Sequence, residues 1–175
     1  MVIIHQTDRG QELDGMKLLA GGKECDIMLT NYEEIFARKL AVYGDVKVPP
    51  PSYEEAVDLA IESGVELSAL DMDEDRYTTV FCDNISSLEL MRYSLRLQRM
   101  RKKRFKECTA EEFVLAWDRR MNKTKGFRAV EEAREKHMAK RLKKLAKGKE
   151  RVLAVLDLER LEGVLEALDT VSPGG

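Results

Sequence analysis

The sequence is poor in the residues that build disulfide frameworks and metal cages. It has two histidines and three cysteines in 175 residues, and Cys25, Cys82 and Cys108 are widely spaced. An odd number of cysteines without a C-x-x-C pair argues against a disulfide scaffold and against a zinc site.

Long hydrophobic runs are also missing. The apolar start of the chain reaches His5 and Asp8 too soon for a signal peptide, and no stretch approaches the roughly 20 apolar residues of a membrane span. We therefore expect a cytoplasmic protein without a membrane partner.

The glycine and histidine motifs of common enzyme classes are absent. The chain contains no G-x-G-x-x-G, Walker loop, H-E-x-x-H or G-x-S-x-G. Dinucleotide binding, nucleotide hydrolysis, zinc-dependent proteolysis and α/β-hydrolase chemistry therefore have no local support.

The formal net charge of −2 conceals a strong separation of charge along the chain. Residues 1–88 carry 18 acidic and 7 basic side chains, residues 89–151 carry 9 and 22, and residues 152–175 carry 5 and 1. Such halves can neutralise each other within one chain or between copies, or the basic block can bind a polyanion.

Short apolar segments predict four strands and an α/β fold class. The segments are bounded by polar or glycine residues, and their lack of clean alternation favours a small, largely parallel or mixed sheet flanked by helices. The predicted strands are Val2–His5, Asp26–Thr30, Val65–Leu70 and Arg151–Leu156.

Helices are predicted around and between these strands, at residues 32–42, 53–63 and 158–168. In the last of these, Leu161, Val164/Leu165 and Leu168 are expected to face inward. The pairs Ser86/Glu89 and Thr109/Glu112 have the spacing of capping boxes. They predict helices at 87–103 and 110–121, and a third follows at 127–147. We read residues 1–175 as a single domain with a helical insertion at 86–148.

The first inserted helix carries a stripe of cations. Arg92, Arg96, Arg99 and Lys103 follow the spacing i, i+4, i+7, i+11, and the apolar Leu88, Met91 and Leu95 turn to another face. Because like charges repel, either bound phosphates or the acidic half of this chain or of a partner chain should compensate them. Among the aromatic side chains of this region, Phe105, Trp117 and Phe127 could stack on bases, although the spacing of Phe113 and Trp117 indicates a core.

A carboxylate cluster follows the third predicted strand. Asp71, Asp73 and Asp75 lie where open α/β sheets place ligands, and such side chains could hold Mg²⁺ or Mn²⁺. The alternative is a solvated acidic loop. His5 ends the first predicted strand, where a lone histidine is typically structural.

Two segments resemble the closing portion of the TraB/PrgY family, which is related to GumN, Tiki and EreA/ChaN-like proteins. They are Glu131–Ala139, with its acidic-Arg pattern before Met138, and Arg151–Val164. The resemblance implies a TraB-like α/β domain with a site near Arg134 and the terminal turn.

The sequence departs from the family at its chemical positions. The family's glycines fall on Asp157 and Glu159 and its histidine on Arg160, leaving Gly163 in place. Arginine is neither a metal ligand nor a base at neutral pH. The resemblance therefore implies a non-catalytic remnant site, in which Arg134 and Arg160 could bind a small anion.

These observations predict a soluble, non-catalytic binding or regulatory protein that forms homo-oligomers through its oppositely charged halves. The alternative is binding of nucleic acid or another polyanion through residues 92–106. A third possibility is a divalent-metal-dependent hydrolase that uses Asp71, Asp73 and Asp157.

Overall fold

A computed structural model describes residues 2–4, 32, 34–47 and 50–170. Three short strands are present: β1 (Val2–Ile4), β2 (Leu67–Ala69) and β3 (Leu153–Val155). The helices are α1 (residues 34–40), α2 (Pro51–Glu62), α3 (Glu74–Asn84), α4 (Ser87–Lys102), α5 (Ala110–Met121), α6 (Lys125–Ala146) and α7 (Leu158–Thr170).

The described residues are mostly helical, so the predicted α/β fold class is wrong. The three strands have the order β2-β1-β3 and pair in parallel, but each contains only three residues. Val2 pairs with both Leu67 and Leu153, which places β1 between its two neighbours in the sheet. Three apolar segments do form strands where they were predicted, while Asp26–Thr30 lies outside the described residues.

The helical part between β2 and β3 is longer than expected. The three predicted helices are confirmed as α4, α5 and α6, and α3 precedes them from Glu74. The acidic segment that was expected to be a loop therefore begins a helix. Asp73 is the N-cap of α3 and its side chain accepts the Arg76 backbone N–H at 2.9 Å, which satisfies a free N–H of the first turn.

The chain divides into two compact units. Unit 1 contains the described residues of 2–4, 47–72 and 131–170, and unit 2 contains those of 32–46 and 73–130. The core of unit 1 includes Leu70, Met138 and Val164. Unit 2 is built on aromatic packing, in which Phe113 and Trp117 are fully buried.

No described helix is both long enough and apolar enough to cross a lipid bilayer.

Candidate functional site

Unit 1 buries two arginine side chains, Arg134 on α6 and Arg160 in the first turn of α7. Each is only 4% exposed. A buried guanidinium must be paired, because loss of hydration is very costly for a lone charge. The partners of these two arginines therefore determine whether their guanidinium groups are free to bind an external anion.

Arg134 is held by two carboxylates. Its Nη2 and Nε donate to the same oxygen of Asp71, at 2.6 Å and 3.1 Å, and its Nη1 donates to Glu131 at 2.9 Å. Asp71 follows β2 by two residues, and Glu131 lies one turn before Arg134 on α6. The pairing joins the end of β2 to α6.

Arg160 is also held by two carboxylates. Its Nη1 lies 2.9 Å from carboxylate oxygens of both Glu131 and Glu135. Glu131 therefore contacts both arginines. We call these five residues the arginine network: Asp71, Glu131, Arg134, Glu135 and Arg160.

Gly163 allows α7 to approach the arginine network closely. A Cβ atom at this position would overlap the carboxylate of Glu135. That carboxylate is fixed by Arg160, one turn before Gly163 on the same helix. A larger residue here would force the Glu135 carboxylate to shift, and its ion pair with Arg160 opposes that shift.

Tyr53 and Asp157 form a second polar contact in unit 1, which is half-buried. The Tyr53 hydroxyl on α2 donates to Asp157 Oδ1, and the Asp157 carbonyl accepts the backbone N–H of Arg160 at the start of α7. Burial, together with the negative charges of Asp157 and Glu159, raises the pKa of Tyr53 far above its ordinary value. Tyr53 is therefore a neutral hydrogen-bond donor rather than a candidate base.

The structure brings together the residues predicted as an anion site and remnant site, but it uses them internally. Arg134 and Arg160 face carboxylates of their own unit, Asp157 and Glu159 lie at the start of α7, and Gly163 accommodates Glu135. An external anion would have to displace those carboxylates.

Sequence reasoning missed Tyr53, Glu131 and Glu135. A signal for the two glutamates was present in α6, because Glu131 and Glu135 continue the stripe of Met138 and Leu142 at helical spacing. Charged residues that extend an apolar stripe are candidates for a buried ion-pair network.

The three aspartates predicted to bind a metal do not act together. Asp71 is paired with Arg134, Asp73 caps α3, and Asp75 is exposed in the first turn of that helix. No group of three or more His, Cys, Asp or Glu side chains suited to a metal ion occurs in the described part of the chain.

The predicted cationic stripe divides into two kinds of side chain. Arg96 is half-buried and donates to the Met121 carbonyl at the C-terminus of α5. Arg92 and Arg99 are exposed. Lys103 is the C-cap residue of α4, and its Nζ lies 6.0 Å from the centroid of the Phe105 ring.

The exposed cations lie in one segment of the chain that contains no acidic residue. Residues 90–106 contain eight basic residues and no acidic ones. No described carboxylate forms an ion pair with the seven that are exposed, which we call the cationic surface. Its members are Arg92, Arg99, Arg101, Lys102, Lys103, Arg104 and Lys106.

The aromatic side chains of this region pack against other rings of unit 2, with Phe105 only half-buried. Phe105 packs against Phe113 and Trp117, with ring centroids 4.8 Å and 5.8 Å away. Phe127 is buried and stacks on Tyr93. The prediction that Phe113 and Trp117 are core residues is confirmed. Each ring suggested for base stacking packs against another aromatic ring of unit 2.

No protein-family model matches the chain, and searches of characterised proteins and of solved structures returned no match. The resemblance to the TraB/PrgY family stays a prediction.

Proposed function

We propose that this protein is a non-catalytic binding protein whose cationic surface holds the phosphate backbone of nucleic acid. The contrast between two sets of arginines carries the proposal. Arg134 and Arg160 are buried and paired with carboxylates, whereas Arg92, Arg99 and their neighbours are exposed and outside ion-pair distance of any described carboxylate.

Phosphate binding would relieve the repulsion between these cations. Arg99 and Lys102 are three residues apart on α4, and like charges at this helical spacing repel each other unless anions compensate them. Each neutralised phosphate releases condensed counterions, which favours binding at low salt.

The expected mode of binding does not read sequence. Trp117 is buried and the half-buried Phe105 packs against it, so we do not expect aromatic stacking to carry the binding. Contacts from long basic side chains to phosphates position a protein on nucleic acid without distinguishing bases. We therefore expect similar affinities for different sequences of the same length.

Fluorescence anisotropy with a labelled single-stranded RNA and a labelled DNA duplex tests this proposal. We expect binding at low salt and a linear decrease of log K with log salt concentration. In the R99E/R101E variant the affinity should fall at least about tenfold, and the slope for duplex DNA should decrease by about 0.9 for each phosphate that the variant no longer binds.

The K140E/K144E variant is the matched control. Both lysines are exposed on α6 in unit 1, and the variant changes the net charge by the same amount as R99E/R101E. Absence of binding to both nucleic acids at low salt, or equal weakening by the two variants, would contradict the proposal.

A further inference from the structure

Helix α4 exposes apolar side chains beside its arginines. Leu88, Met91 and Leu95 are 50% to 55% exposed and lie next to Arg92 and Arg99 at helical spacing, so the prediction that they turn to another face is wrong. The buried face of α4 is formed by other residues, including Leu97. Phosphate binding accounts for the exposed arginines but not for three exposed apolar side chains at the spacing i, i+3, i+7. We call Leu88, Met91, Arg92, Leu95 and Arg99 the α4 face.

Helix α7 has a corresponding stripe with acidic residues. Leu158, Leu161 and Leu165 have the same spacing and are 39% to 53% exposed, so the prediction that Leu161 and Leu165 face inward is wrong. The prediction that Val164 faces inward is confirmed, and Ala167 is buried as well, which turns these leucines outward. We call Leu158, Leu161, Glu162, Leu165, Glu166 and Asp169 the α7 face.

The two helices match position by position with opposite charge. On α4, Arg92 and Arg99 come four and eleven residues after the first leucine of the stripe. On α7, Glu162 and Asp169 occupy the same two positions. These positions lie on one flank of the apolar stripe because they are one and three turns further along the helix.

Packing geometry selects one orientation for such a pair. When the two apolar stripes contact each other with the helices antiparallel, the charged flanks lie on the same side of the contact. In a parallel arrangement they lie on opposite sides. Only the antiparallel arrangement therefore both buries the leucines and places Arg92 and Arg99 beside the carboxylates of α7.

We infer that the α7 face of one copy of this chain binds the α4 face of a second copy. Both faces are exposed in the single chain, and each supplies what the other lacks: an apolar stripe of the same spacing and a flank of opposite charge. The binding partner of each face is thus a second copy of this chain.

This association would also cover part of the cationic surface. Arg92 and Arg99 belong to both the α4 face and the proposed nucleic-acid surface. The acidic α7 face would compete with phosphates for these arginines, a consequence that rests on the proposed function, whereas the association itself does not.

Sedimentation velocity of the purified full chain, without nucleic acid and at low salt, tests the inference. We expect concentration-dependent self-association. The E162K/D169K and R92E/R99E variants should each raise the dissociation constant at least about tenfold, because each places like charges in contact. The combined four-residue variant restores opposite charges and should associate within about threefold of the wild-type chain.

The E55K/D58K variant is the matched control. Both residues are exposed on α2, and this variant should associate like the wild-type chain. Circular dichroism of every variant checks that the helices are retained. A wild-type chain that is monomeric at every soluble concentration, equal weakening by the control, or failure of the combined variant to recover would overturn the inference.

Failure of the inference can be told apart from failure of the proposed function. A monomeric chain that binds RNA or DNA would overturn the association alone. An associating chain without affinity for nucleic acid would overturn the proposed function alone. The E162K/D169K variant should lose self-association and still bind nucleic acid.

Discussion

Arg134 donates two hydrogen bonds to a single carboxylate oxygen of Asp71, a residue 63 positions earlier in the chain. Both side chains are almost completely buried. The pair fixes the segment after β2 against α6. Because a buried guanidinium without its carboxylate is strongly unfavourable, the stability of unit 1 should depend on this contact.

Asp71→Asn should lower the free energy of unfolding by about 3–5 kcal/mol, because it leaves Arg134 buried with one carboxylate partner fewer. Urea denaturation followed by circular dichroism measures the effect. Lys136→Ala is the control, since Lys136 and Glu132 form an exposed pair on the same helix, and such pairs contribute at most about 1 kcal/mol. Similar losses of unfolding free energy in the two variants would show that the buried pair stabilises the protein no more than the exposed one.

Gly163→Ala should destabilise the protein, although alanine is the better helix former by roughly 1 kcal/mol. The new methyl group would push the Glu135 carboxylate away from Arg160. We expect a net loss of about 1–3 kcal/mol in thermal or urea unfolding. In a Glu135→Ala background the overlap disappears, so the same substitution should there be neutral or stabilising. A stabilised single variant would contradict the close approach of Glu135 to α7.

Tyr53 should resist ionisation in the folded protein. Burial and the nearby charges of Asp157 and Glu159 raise its pKa above the ordinary value of 10.0. The folded state therefore binds this proton more tightly than the unfolded state, so its stabilising contribution is complete below about pH 10 and is lost as the pH rises further. Tyr53→Phe should reduce the dependence of stability on pH in the alkaline range. Absorbance titration of the folded wild-type protein should show one tyrosine that ionises late, and this late ionisation should disappear on unfolding. A normal titration of Tyr53 would contradict its half-buried contact with Asp157.

Glu89 should stabilise unit 2 in a pH-dependent way. Burial acts to raise its pKa, but hydrogen bonds from the backbone N–H groups of Gly126 and Ser86 outweigh it, and the pKa is lowered from 4.5. This contribution is present above about pH 4.5 and is lost as the pH falls through the lower pKa of the folded state. Glu89→Gln should flatten the acid side of the stability curve. Unfolding curves between pH 3 and pH 7, about the range in which carboxylates titrate, test this, and an unchanged pH dependence would contradict it.

The sequence by itself determined the local features of this protein. The capping box of Ser86 and Glu89 starts α4, and the Thr109 side chain caps α5, as their spacing predicted. These interactions join residues three positions apart, so no distant part of the chain is needed to form them. The concentration of basic residues at 90–106 is likewise a property of the sequence alone.

Only the tertiary structure decided the fold class, the roles of the buried arginines and the direction of the helix faces. The strands pair between segments that are far apart in the chain, and the apolar pattern of each segment does not specify that pairing. Arg134 and Arg160 resemble exposed anion-binding residues until their partners, Asp71 and Glu135, are placed beside them. Leu161 and Val164 are equally apolar, and only the packing around α7 determines that one is exposed and the other buried.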